Sequence, residues 1–129
     1  METKLNYLLD TCILIDYLRG NQGVYDILVN DNTIKLSMST ITLMELVIGA
    51  LNNREVNYII KAFKKIAIIY INEEISKLAQ DLIIRYSKSH NLHINDALIA
   101  ATALRNDMEL ITHNVSDFQY IPNVVLHKI

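Results

Sequence analysis

Cysteine, proline and glycine are all scarce in this chain. Its 129 residues include one Cys, one Pro and three Gly, and Trp is absent. A single thiol excludes an intrachain disulfide and a zinc site built from several thiolates, which favours a protein of the reducing cytosol. Few glycines and prolines indicate short connections and much regular secondary structure.

An excess of charge of one sign is also missing. Twelve Lys and Arg stand against fourteen Asp and Glu, a net charge of −2, which excludes a highly charged disordered chain and a strongly basic coat for nucleic acid. No run reaches the ~18 uncharged apolar residues of a transmembrane helix, because the longest candidate, Leu36 to Leu51, contains Glu45. With 51 % hydrophobic residues, the chain is expected to fold as one soluble domain over residues 1–129, with no role at a membrane.

Several common functional motifs are absent from the sequence. It contains neither G-x-x-x-x-G-K-[ST] nor G-x-G-x-x-G, so the two usual glycine-rich cradles for nucleotides are missing. It also lacks the G-x-S-x-G elbow that presents a nucleophilic serine. Any chemistry has to come from other residues.

Short apolar runs alternate with segments of helical periodicity. The predicted strands are Leu5–Leu9, Ile34–Met38, Ala67–Ile71, Leu110–Thr112 and Val124–His127. The predicted helices are Cys12–Arg19, Val24–Asn30, Leu43–Leu51, Glu55–Ile66, Glu73–Lys88 and Ala97–Arg105. Strands that are apolar at consecutive positions are typical of a sheet covered on both faces. This pattern predicts an α/β fold with a mostly parallel sheet of about five strands flanked by helices.

Four acidic residues fall where ligands bind in such a fold, beyond the carboxyl ends of the strands. They are Asp10, Glu45, Asp96 and Asp117, and no Lys or Arg lies within three positions of any of them. Buried carboxylates are costly unless they are paired or bind a cation. Hard oxygen ligands, without a second thiolate or a tight pair of histidines, predict Mg²⁺, with Mn²⁺ as the alternative.

Helix capping is a second explanation for the same four residues. Thr42 and Glu45 match a capping box, and Asp96, or Asn95 before it, is a favoured N-cap residue. The other two acids could cap as well, each contributing ~1 kcal/mol. Capping and metal binding are compatible, because a helix N-terminus favours the anion that would bind the cation.

Other polar residues near these positions have simpler predictions. His90 and His93 are expected to be solvated residues of a loop, and Asp16 is expected to pair with a base of its own helix. Cys12 lies among Ile and Leu and is predicted to be a small core residue. His113 is adjacent to the acids, and the sequence leaves its role open.

Four segments together resemble the PIN-domain ribonucleases, in particular the VapC toxins of toxin–antitoxin pairs. They are LLDTCILIDYLRG, STITLMELVIGA, NDALIAATAL and THNVSDF, and the likeness extends from about residue 5 to the C-terminus. The resemblance implies a PIN-like three-layer fold in which Asp10, Glu45, Asp96 and Asp117 form a metal-binding active site. It also implies that Thr11, Thr112 and Asn114 support the carboxylates through hydrogen bonds. Cys12 departs from the family, where Asn or Ser is common.

The function implied by this resemblance is that of a Mg²⁺- or Mn²⁺-dependent endoribonuclease in the cytoplasm, leaving a 5′-phosphate and a 3′-hydroxyl. The implied partners are an RNA substrate, a cognate VapB-type antitoxin and a second copy of the chain. Two alternatives remain open at this point. One is another metal-dependent nuclease, acting on DNA or on phosphodiesters in general, and the other is a non-catalytic protein-interaction module on the same fold.

Overall fold

A computed structural model describes residues 5–24, 26 and 34–127. The strands are β1 (Leu5–Leu9), β2 (Ile34–Ser39), β3 (Ala67–Ile69), β4 (Glu109–Ile111) and β5 (Leu126–His127). The helices with described bounds are α1 (Thr11–Leu18), α2 (Thr40–Ile48), α3 (Asn53–Ala62), α4 (Glu73–Tyr86) and α5 (Ile94–Arg105), and a 3₁₀ turn, η1, spans Val115–Asp117. None of the helices in the described ranges is long and apolar enough to cross a membrane.

The five strands form one parallel sheet in the order β3-β2-β1-β4-β5. The central strand β1 pairs with β2 on one side and with β4 on the other, and Leu8 lies opposite both Ser37 and Leu110. The strand order therefore changes direction at β1. In open α/β sheets the ligand crevice lies at this switch point, outside the carboxyl ends of the strands.

Both faces of the sheet are covered by helices. Leu8 and Leu110 belong to a buried cluster with residues of α4 and α5, whereas Tyr7, Leu9 and Ile111 belong to a second cluster with residues of α1, α2 and α3. Successive residues of a strand point to opposite faces, so an apolar run is buried on both sides. The predicted α/β fold with a parallel sheet between helices is confirmed.

The predicted strands are found within two residues of their expected bounds. Most of the predicted helix Val24–Asn30 lies outside the described residues. Two other helices, α2 and α5, begin three residues earlier than the apolar pattern indicated, at Thr40 and Ile94. In both helices the first turn precedes the apolar stripe. The stripe therefore shows which part of a helix is buried, but it does not show where the helix begins.

The earlier helix starts overturn two predicted caps. The N-cap of α2 is Ser39, whose hydroxyl accepts a hydrogen bond from the Ile41 N–H at 3.2 Å, so the capping box predicted at Thr42 and Glu45 is wrong. The N-cap of α5 is His93, and it makes no side-chain capping bond. Asp96 lies inside the first turn of α5 instead. Capping therefore does not account for Glu45 or Asp96.

Candidate active site

Asp10 lies at the switch point of the sheet, directly after β1, and is 5 % exposed. Its backbone N–H donates to the carbonyl of Ile111 at 3.0 Å, which ties it to the end of β4. Its Oδ1 accepts from the Thr11 N–H at 2.8 Å, and its Oδ2 accepts from the Thr112 hydroxyl at 2.7 Å. Asp10 is thus the N-cap of α1, as one explanation predicted. Asp10 Oδ1 keeps a further lone pair for a ligand.

Glu45 is brought to this site by α2. The hydroxyl of Thr11 donates to Glu45 Oε1 at 3.1 Å. The backbone of Thr11 binds Asp10 while its side chain binds Glu45, so one residue links two of the predicted acids. The sequence separation of 34 residues is spanned because β1 and β2 are neighbours and their carboxyl ends meet.

The pKa of Asp96 depends on its burial and on the charges of the other three acids. Burial raises the pKa of the Asp96 carboxyl from 3.8 to about 6, and the negative charges of Asp10, Asp117 and Glu45 add to that rise, while His93 lowers it. A charge acts in this way only over a short distance in a partly buried site. The four acids therefore share one end of the sheet.

Asp117 is the most open of the four acids. It ends the turn η1, is exposed, and lines a cleft of about 340 Å³ together with Glu45 and Asp96. Of the described residues, no Lys or Arg forms an ion pair with any of the four carboxylates. The cleft thus holds negative charge without a cationic side chain to balance it.

The described part of the chain contains no preassembled group of three or more His, Cys, Asp or Glu side chains at metal-ligand spacing. Carboxylates that repel one another are expected to stand apart when no cation lies between them. The donor set is nevertheless made of carboxylate oxygens, and their charges add to the effect of burial in raising the pKa of Asp96. These residues fit a hard divalent cation such as Mg²⁺ or Mn²⁺.

Two supporting residues predicted from the family resemblance act in different ways. Thr112 is 5 % exposed; its hydroxyl donates to Asp10 and accepts from the Asn114 N–H at 3.0 Å. Asn114 therefore contributes through its backbone, and its side chain makes no capping bond to η1. These two hydrogen bonds hold the hydroxyl of Thr112 in one orientation.

Cys12 takes part in the same network, which the sequence did not reveal. Its Sγ lies 3.8 Å from Asp10 Oδ2 and 3.7 Å from the Thr112 hydroxyl, and it accepts from the His113 N–H at 3.4 Å. The side chain packs against the cluster under α1, as expected of a small core residue, and its thiol also contacts this polar network. Burial raises the pKa of the thiol, so Cys12 stays neutral beside the acids.

His113, whose role the sequence left open, pairs with Asp16. Its Nε2 is in contact with Asp16 Oδ2, so Asp16 pairs across to the loop after β4 and not with a base of its own helix. The contact joins α1 to the strand end that carries Thr112. His113 therefore supports the frame of the site from outside the four acids.

Two aromatic rings that the sequence did not predict at this site form part of the rim of the cleft. His90 and Tyr120 both line the cleft beside the acids, and their rings stack on each other. His90 and His93 are exposed and lie in the loop between α4 and α5, as predicted. Nothing in the sequence indicates that Tyr120, thirty positions away, would meet His90.

Comparison with known proteins places this arrangement in a family. The family model described as "PIN domain" matches residues 7–123. The chain belongs to the PIN-domain family. This PIN domain is 35 % identical over 132 aligned residues to Ribonuclease VapC1 of Haemophilus influenzae, covering 92 % of the chain and 93 % of that protein. It is 34 % identical over 113 residues to Ribonuclease VapC10 of Mycobacterium tuberculosis, covering 86 % and 84 %.

Solved structures show the same likeness for this PIN domain. A toxin–antitoxin complex from Klebsiella pneumoniae contains a chain with a TM-score of 0.76 and 33 % identity, covering 95 % of this chain and 99 % of that one. VapBC-1 from nontypeable Haemophilus influenzae gives a TM-score of 0.80 at 28 % identity, covering 96 % and 98 %. The resemblance to the VapC proteins that the sequence motifs predicted is confirmed.

Proposed function

We propose that this PIN domain is a Mg²⁺- or Mn²⁺-dependent endoribonuclease and the toxin of a VapBC-type pair, with residues 1–129 acting as one nuclease domain. The observation that carries the proposal is the placement of the four carboxylates at one end of the sheet, where Thr11 links Asp10 to Glu45 and a single cleft is lined by Glu45, Asp96 and Asp117. The raised pKa of Asp96, caused by burial and by the charges of the other three acids, agrees with this placement. Relatives that match across most of the chain are named ribonucleases. The geometry of the site and the names of the relatives thus both support a ribonuclease activity.

The proposed metal ligands are Asp10 and Asp96, with Glu45 and Asp117 beside them. A divalent ion bound there supplies positive charge to the phosphate and lowers the pKa of a water molecule for in-line attack. Thr11 and Thr112 hold the carboxylate of Asp10 in one orientation. In this proposal one of the other two acids, Glu45 or the exposed Asp117 on η1, would orient or deprotonate the attacking water.

The proposed partners follow from the same comparisons. Structural neighbours are described as toxin–antitoxin complexes, which supports a VapB-type antitoxin as the partner of this chain in the cytoplasm. A homodimer is supported by apolar residues on and after α2: Met44 is 50 % exposed, Ile48 83 % and Leu51 86 %. Large apolar side chains that are this exposed to solvent favour burial against another protein surface.

The direct test is cleavage of RNA and DNA of matched sequence, with Mg²⁺ and with EDTA. We expect the wild type to cut RNA only with the metal, and Asp10→Asn to lower the rate about 100-fold or more. Asp81→Asn, at an exposed position of α4, is the matched control and should cut at the wild-type rate. Equal cleavage of DNA would indicate a general nuclease, whereas an absence of both cleavage and divalent-ion binding would indicate a non-catalytic module.

The cellular counterpart uses induced expression of the wild type and of Asp10→Ala. New 5′ ends in cellular RNA should arise with the wild type alone. Their positions would identify the RNA class, which the fold does not specify because RNA recognition depends on loops and shape.

A further inference from the structure

A pair of stacked rings stands at the edge of the acidic cleft. We propose that His90, stacked on Tyr120, forms a platform on which one unpaired nucleobase of the RNA stacks next to the cleaved phosphate. We call these two residues the stacking platform. The inference rests on the proposed function, since it takes RNA as the substrate, and it adds a base-binding subsite to the acidic site.

The geometry of three rings leaves one side of the platform open. The His90 and Tyr120 ring centres are 4.0 Å apart with planes 12° from parallel. The ring of Tyr86 lies 5.6 Å from His90 and 5.2 Å from Tyr120, edge-on to both. Because it is almost equally distant from the two, Tyr86 stands beside the stack and covers neither outer face. His90 is exposed, so its outer face can take a further ring.

The orientation of the His90 ring is fixed by two contacts. Its Nδ1 lies 2.8 Å from the Ser89 hydroxyl, and its inner face rests on Tyr120. A ring that is already held in place loses little conformational freedom when a base stacks on it, which favours binding.

The platform lies next to the four acids. Tyr120 follows Asp117 by three positions, and burial and the charges of Asp96 and Asp117 raise the pKa of its phenol. His90 and Tyr120 line the same cleft of about 340 Å³ as Glu45, Asp96 and Asp117. That volume lies at the lower end of the range of small-ligand sites, roughly 300–1,000 Å³. It suits one nucleoside better than a duplex.

The chemistry of the cleft favours a nucleobase over a second anion. A neutral base can approach four carboxylates without repulsion, whereas an additional phosphate would be repelled. Unpaired bases in RNA are bound by stacking on aromatic or imidazole rings and by hydrogen bonds to their edges. Asn91, His93 and Asn95 supply polar groups on the rim of the same cleft.

The test uses RNA with the fluorescent base 2-aminopurine next to the cleavage site. Stacking on the platform should quench its emission when it binds full-length Asp10→Asn protein, which is expected to cut the RNA at least about 100-fold more slowly than the wild type. In this background His90→Ala should remove the quenching, and in the active protein it should raise KM roughly tenfold with kcat within about twofold. His90→Phe keeps a flat ring and should restore both. Tyr58→Ala, at an exposed tyrosine of α3, should change neither.

The outcomes separate this inference from the proposed function. If the wild type cuts RNA while His90→Ala binds and quenches normally, the platform is wrong and the nuclease stands. If His90-dependent quenching occurs without any metal-dependent cleavage, the base subsite stands and the nuclease proposal fails. A lower melting temperature in His90→Ala, with KM and quenching unchanged, would show that the rings only pack α4 against the segment after η1, and would overturn the platform.

Discussion

Asp10 and Asp96 have the same side chain in very different surroundings. Both oxygens of Asp10 accept hydrogen bonds, from the Thr11 N–H and the Thr112 hydroxyl. Asp96 instead is partly buried, which raises its pKa, and the charges of three neighbouring acids add to that rise. Hydrogen bonds stabilise the ionised form of a carboxylate, whereas burial and like charges oppose it. A cation bound in the cleft would therefore relieve the repulsion that opposes ionisation of Asp96.

Replacing Asp96 by Asn should stabilise the metal-free protein at pH 7. The substitution removes a buried charge that three neighbours repel, and we expect a gain of about 1 kcal/mol after allowance for solvent screening. The melting temperature would rise by roughly 4 °C. Thermal unfolding in EDTA measures this, with Asp81→Asn as a control that should leave the melting temperature unchanged.

The pH dependence of that gain follows from the direction of the pKa shift. The pKa of Asp96 in the folded protein, about 6, lies above its ordinary value of 3.8, so the folded state binds more protons in this interval. The contribution of Asp96 to stability therefore falls as pH rises from 3.8 to about 6. The variant and the wild type should be alike below this window and differ most above it. A difference that is largest at the acid end would contradict this account.

The four acids could be predicted at the residue scale because three of them lie after recognisable strands, and the fourth, Asp96, directly precedes the apolar stripe of a helix. Parallel strands end at one edge, so residues after different strands come together. The contacts of Cys12 and His113 could not be predicted. Cys12 meets Thr112 across 100 positions, and His113 meets Asp16 across 97. Such pairs depend on which strands are neighbours.

At the scale of the elements, the start of α2 decides the role of Glu45. Ser39 caps the helix, and its hydroxyl is bonded to the Ile41 N–H. Thr42, the residue predicted to cap, is fully buried, and its hydroxyl has no hydrogen-bond partner. Glu45 consequently does not cap α2, and its carboxylate accepts a hydrogen bond from the hydroxyl of Thr11 on α1. The sequence contains the pattern T-x-x-E, but Thr42 and Glu45 do not form a capping box.

Two substitutions in α2 test this assignment. Ser39→Ala should destabilise the protein by about 1 kcal/mol, because a helix cap is lost. Thr42→Val has nearly the same shape and removes a buried hydroxyl that has no partner, so we expect a neutral or slightly stabilising effect. Denaturant unfolding of both variants gives the comparison. A larger loss in Thr42→Val than in Ser39→Ala would mean that Thr42 caps the helix after all.

On the scale of the whole molecule, the sheet order brings the proposed ligands together. Because β1 lies between β2 and β4, the elements that follow these strands carry Asp10, Glu45 and Asp117 to one end of the sheet, and α5 brings Asp96 to the same end. Asp10 is tied to the end of β4 twice, through its backbone N–H to the Ile111 carbonyl and through its carboxylate, which accepts from the Thr112 hydroxyl.

Binding of Mg²⁺ should therefore stabilise the whole fold. At a metal concentration about 100 times the dissociation constant, the stabilisation is about 2.7 kcal/mol, and the melting temperature of the wild type should rise by roughly 11 °C. Asp10→Asn and Asp96→Asn should respond much less, because each removes a proposed ligand charge. Thermal unfolding with increasing Mg²⁺ measures the effect.

The control for metal binding is Asp81→Asn, which should respond like the wild type. Stabilisation that is equal in all variants would indicate weak binding to surface acids and would contradict the proposed ligands.

The sequence by itself determined the fold class, the strand positions and the four acids at one edge of the sheet. Local periodicity and the geometry of parallel strands are sufficient for these. Only the tertiary structure decided that Thr112 orients Asp10, that Thr11 links Asp10 to Glu45, and that Tyr120 stacks on His90. These contacts depend on helix starts, strand order and loop paths. Each of those is set by packing over the whole chain, because many local sequences satisfy the same pattern.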